Sequence, residues 1–201
     1  MLDMLVNVSS AILALTGLIS VALTDQLNPL IIMIGLACIA ITLLLSSLNI
    51  KPQTYKMIPR SAWNAYIILV FIVMLLDISW ISGSLLISIL HLSIFLMINK
   101  LFNLSSRRDY IQLFLLSLLQ FIAASTMTSQ LFFGFAVVIF LISATWALIL
   151  LHLKYQIEEF GAANTHEKIV DYRFFLLTNS LALSAFIITI FIFFIIPRFG
   201  I

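Results

Sequence analysis

The chain has 201 residues, 63% hydrophobic and 9% charged, and its 10 Lys and Arg against 8 Asp and Glu leave a formal charge of +2. So little polar surface cannot cover so much apolar side chain in water, which excludes an ordinary soluble domain. The small charge, with no basic patch interleaved with aromatics, excludes nucleic acid as a partner.

An α-helix needs about 20 mostly apolar residues to cross about 30 Å of hydrocarbon, and seven such runs follow one another along the chain. The first covers residues 4–23 and stops at Asp25, Asn28 and Pro29, a turn whose proline suits the first position of the next helix. The second covers 30–48 and ends where Asn49 to Arg60 brings two prolines with Lys51, Lys56 and Arg60. Its Cys38 is the only cysteine, which builds no disulfide or cysteine metal site within one chain and reads as a small buried apolar residue. The third covers 63–80 and turns at Ser82 to Ser84, with Asp77 about one helical turn from its end. The fourth covers 84–101 and closes on Lys100, Asn103, Arg107 and Arg108.

The fifth run, 110–128, includes Gln112, Ser117, Gln120, Ser125 and Thr126 and is still apolar enough to span. The sixth covers 131–153 and leads into a polar, Glu-rich segment, 154–173, which breaks at Gly161 to Thr165. Asn164 with Glu167 three residues later is a helix-capping pattern. The seventh covers 174–196 and ends at Pro197 and Arg198. The fold expected is an all-α, polytopic membrane bundle, one domain over residues 1–201.

Charge orients it. Every cation except Arg198 falls in the breaks after the second, fourth and sixth spans, and the breaks after the first, third and fifth have none. Cytoplasmic loops are the ones enriched in Lys and Arg, so the amino terminus is expected inside and the carboxyl end outside. Treating the fifth run as a re-entrant loop would put the cations of 154–173 on the wrong side. Met1 to Leu5 carries only Asp3 and lacks the basic start of a signal peptide, so the first span is expected to be retained.

Ionisable side chains inside spans cost about 2.5 to 3.5 kcal/mol on insertion scales and so point to function. His91 lies near the middle of the fourth span, on one face with Ser84, Ser88, Phe95 and Asn99. It reads as a proton or ligand site, or as a contact in which Ser, His and Asn bond across the bundle. No second ionisable residue is expected beside it, since Asp77 and Lys100 lie close enough to the interfaces to reach water. A bis-His haem is not expected, because His91, His152 and His166 differ in depth. Glu158, Glu159, His166 and Glu167 lack the spacing of a metal motif and read as a solvated face. With no phosphate loop, no HExxH and no nucleophile near a His and a carboxylate, no catalytic, cofactor or metal site is expected. Ser117, Gln120, Ala124 and Thr128 form a small-polar stripe suited to helix packing, as do Gly134 and the trio Gly35, Ala37 and Ala40.

Four sequence elements occur in order over residues 83–201: Gly83 through Lys100, then Arg108-Asp109-Tyr110, then Ser129-Gln130-Leu131, then Phe193 to Ile196 followed by Pro197-Arg198. Together they resemble the N-terminal membrane domain of the bacterial transglutaminase-like TgpA family. There a helix ends in Lys, an Arg-Asp pair opens the next span, a Ser-Gln turn follows, and the last span ends in an apolar-Pro-Arg sequence. Residues before Gly83 match in span pattern only. The resemblance implies a multi-span anchor in the bacterial cytoplasmic membrane, continuing in such proteins into an extracytoplasmic domain with a Cys-His-Asp triad and usually a further span. None of those catalytic residues carries over, because this chain stops at Ile201 and its cysteine is in the second span. The expected role is a non-catalytic anchor or scaffold, with the lipid bilayer and a transglutaminase-like domain, in cis or in trans, as partners. A small transporter or permease with a polar site around His91, Asn99 and the fifth span is the competing reading.

Overall fold

The computed structural model describes residues 2–47, 60–81, 83–104, 106–128 and 133–160, with helical positions between 176 and 188. Its main elements are α1 (Leu2–Ala22), α2 (Pro29–Ser47), α3 (Arg60–Leu76) continued by a π-helical turn (Asp77–Ile81), α4 (Leu85–Leu101), α5 (Arg107–Met127) and α6 (Phe133–Phe160). Helices α1, α2, α5 and α6 are long and apolar enough to cross a membrane, while α3 and α4 contain shorter apolar helices. No strand occurs among the described residues.

The turn between α1 and α2 forms as expected. Asp25 takes a left-handed backbone at φ 53°, the Leu30 N–H donates to Asn28 Oδ1 at 2.9 Å, and Pro29 opens α2. Helix α6 runs past Leu153 to Phe160 without a break, so the first, helical part of the polar segment continues the sixth run up to the expected break at Gly161. At 1.5 Å per residue it is about 42 Å long, more than the roughly 30 Å of hydrocarbon. Lys154 and Glu158 therefore extend the helix out of the apolar layer.

These helices are apolar on nearly all sides, so hydrophobicity alone does not choose which one is central; small residues that admit close backbone approach do. Helix α1 buries most of its length and α2 little of its own. A Cβ on Gly17 would stand 3.0 Å from the Ser117 carbonyl oxygen, so α1 and α5 touch nearly backbone to backbone. On the side of α1 facing α6, the Thr16 and Ser143 hydroxyls are 3.0 Å apart. Ser9 and Ser20 of α1 bond within the helix, donating to the Val6 and Thr16 carbonyls at 3.0 and 2.8 Å. Gly35 seats α2 against Leu18 of α1 and Ile94 of α4. Phe121 stacks on Phe133 and Phe140, with centroids 5.4 and 4.3 Å apart, joining α5 to the first part of α6.

The small-polar stripe of α5 packs inward, with Ser117, Gln120 and Ala124 fully buried. Three other small residues with the same expectation do not. A Cβ added at Gly134 would meet no atom within 4 Å, and Ala37 and Ala40 are exposed. They lie on faces that no described helix approaches. Cys38 is half-buried rather than buried.

Candidate functional site

His91 has a charged neighbour after all. Its Nδ1 lies 2.8 Å from Asp77 Oδ2, with side-chain exposures of 13% and 6%. Expected at a wet interface, Asp77 is instead buried where the π-helical turn begins, in a class of widened turn that recurs at functional sites. With Asp77 ionised, Nδ1 is the donor, since a carboxylate only accepts. His91 Nε2 is buried and has no hydrogen-bond partner among the described residues. The imidazole is thus held on one side and unpartnered on the other among the described residues, and a carboxylate in this position orients a histidine for proton transfer or ligation.

Gly83, in the turn between Asp77 and His91, takes φ +59°, a backbone conformation that a side chain would strain. It lets Ser84 open α4 in extended geometry. Because that turn is short, α3 and α4 are antiparallel neighbours, and Asp77 and His91 lie at similar sequence distances on either side of Gly83. That near-symmetry is the sequence signal for the pair.

The other intramembrane candidates stay apart as separate contacts. Gln120 Nε2 donates to Met97 Sδ at 3.5 Å, while its Oε1 is buried without a partner among the described residues. Asn99 is 5% exposed, and its Nδ2 is likewise unpartnered. No group of three or more His, Cys, Asp or Glu residues placed to hold a metal occurs among the described residues.

A second polar cluster ties four helix ends together. Lys100, expected to reach water, donates to Asp109 Oδ1 at 2.8 Å. The Ser106 N–H and hydroxyl donate to Asp109 Oδ2 at 2.9 and 2.7 Å. Asp109 thus caps the start of α5, where the helix dipole favours an anion, and binds the end of α4. Tyr110 donates to Asn7 Oδ1 of α1 at 2.6 Å, and Lys154 of α6 pairs with Asp3 of α1 at 2.9 Å. Arg108 is exposed. Gln130, Pro197 and Arg198 lie outside the described residues, as do His166, Glu167 and the Asn164 capping pattern.

Lys100, Asp109 and Tyr110 are three of the positions that carry the family resemblance, and here they make one connected knot. A family model of the TgpA N-terminal domain matches residues 11–200. The chain belongs to the TgpA N-terminal domain family. The match reaches well before Gly83, where the sequence motifs begin, and it covers most of the chain without including a catalytic domain. No curated protein and no solved structure matches the chain. In this TgpA-type domain, Lys100, Asp109 and Tyr110 act as a structural knot that Arg108 does not join, while the Asp77–His91 pair lies apart from it.

Removing one partner of a buried pair strands the other, at a cost of about 3 to 5 kcal/mol. Asp77→Ala and His91→Ala are each expected to lower the thermal stability of the purified protein, and the double variant to lose less than the sum. Additive losses would show that the two side chains do not interact.

Proposed function

We propose that this chain is the non-catalytic membrane anchor of a transglutaminase-like envelope protein of the bacterial cytoplasmic membrane. It crosses seven times, with the amino terminus inside and the carboxyl end outside. The observation that carries this reading is the family match over residues 11–200. The alternation of cation-rich and cation-free breaks supports the orientation. The knot is consistent with it: four crossings separate Asp3 from Lys100 and two separate Asp109 from Lys154, and these even numbers put all four residues on one side. As an anchor, the domain holds a catalytic partner, in cis or in trans, at the outer surface, where Arg198 would lie. Packing between helices gives that anchor a fixed shape.

A small transporter is the second reading, favoured by the buried Asp77–His91 pair and its Nε2, unpartnered among the described residues. Proteoliposomes holding a trapped pH dye would then show proton flux that is lost in His91→Ala; no flux above empty liposomes would remove that reading.

Orientation is tested in a Cys38→Ser background with a membrane-impermeant maleimide. Asp25→Cys is expected to label in intact cells, and Arg108→Cys only after permeabilisation. The reverse pattern would contradict the proposed topology.

A further inference from the structure

Helices α5 and α6 each pack on α1 much more extensively than on each other. Between them lies a cleft floored by Ser10 and Leu13 of α1 and walled by Tyr110 and Phe114 of α5 and by Leu148 and Leu151 of α6. Leu148 is 43% exposed at its edge.

The chemistry of the cleft changes along its length. Helical spacing puts Phe114, Tyr110 and Arg107 at successive turns on one face of α5, and Leu148, Leu151 and Tyr155 on one face of α6. Apolar side chains therefore come first, the Tyr110 phenol next, and Arg107 at the mouth. There the exposed guanidinium carbon lies 5.7 Å from the centre of the Tyr155 ring, joining the two walls. Glu158, also exposed, stands about one turn further along α6. Lys154 is engaged by Asp3 at 2.9 Å, so among the described residues that line the two walls Arg107 supplies a cation at the mouth and Glu158, further out, a carboxylate.

We propose that this cleft binds a phospholipid with an ammonium headgroup, of the phosphatidylethanolamine class. An acyl chain lies along Phe114 and Leu148, the phosphate meets Arg107, and the ammonium meets Glu158. An arginine fork matches a phosphate bidentately. A purely anionic headgroup would face Glu158 with no ammonium to offset it. The inference rests on the reading that this end of the bundle lies at the membrane surface.

The test is native mass spectrometry of the full chain in detergent with equal amounts of phosphatidylethanolamine and phosphatidylglycerol. Retention of the first is expected to exceed the second by about fivefold, to fall about tenfold in Arg107→Ala, and to fall comparably in Leu148→Trp, which fills the cleft. Glu158→Gln is expected to bring the two lipids to parity. Glycerophosphoethanolamine, which has the headgroup and no chains, is expected to compete poorly. Equal retention of both lipids by the unmodified chain would overturn the proposal, as would unchanged retention in Arg107→Ala or Leu148→Trp at matched melting temperature, or full competition by the chainless headgroup. A wrong orientation would show in thiol labelling and leave this detergent measurement unaffected, so the two failures are distinguishable.

Discussion

The arrangement depends on one close approach, where Gly17 lets the backbone of α1 reach the backbone of α5 at Ser117. Lipid tails are as apolar as Leu, so burying hydrophobic surface does not by itself draw helices together in a membrane; packing and interhelical hydrogen bonds do. Gly17 removes the side chain that would hold α5 away. Thr16, its neighbour, turns its hydroxyl to Ser143 of α6. Two adjacent residues thus fix two helices against α1, and Gly35 brings α2 to the same helix through Leu18.

Polar groups complete at the ends what small residues begin in the middle. The positive-inside rule says where cations belong and nothing about what they touch. Here Lys100 and Lys154 are not idle markers of topology: each meets a carboxylate on another helix, Asp109 and Asp3. Because Asp109 also accepts from Ser106, it orders the α4–α5 connection as well as the helix ends. The Asp77–His91 pair lies outside this scheme, on the α3–α4 hairpin, and it is the feature that packing needs least.

Helices and turns are legible in the sequence where they rest on local signals: apolar run length, the Asn28-Pro29 start of α2 and the Ser117–Gln120–Ala124 stripe. Family membership is legible from Lys100, Asp109 and their neighbours. The centrality of α1 is not, since its Ser, Thr and Gly residues look like those of any span until their partners are known. Gly134, Ala37 and Ala40 carry the same small-residue signal and meet no described helix, which shows that the signal is permissive. The burial of Asp77 escapes a reading that judges depth from span ends alone. The π-helical turn and the short Gly83 connection set it against His91, and only the connection leaves a trace in the sequence.

Centrality of α1 is tested most directly by a Thr16→Cys/Ser143→Cys pair in a Cys38→Ser background, oxidised in native membranes. The hydroxyl oxygens are 3.0 Å apart, within the reach of a disulfide. Near-complete intramolecular cross-linking is expected, with little in a Thr16→Cys/Gly134→Cys control. Absence of the cross-link, or equal cross-linking in the control, would contradict a bundle built around α1.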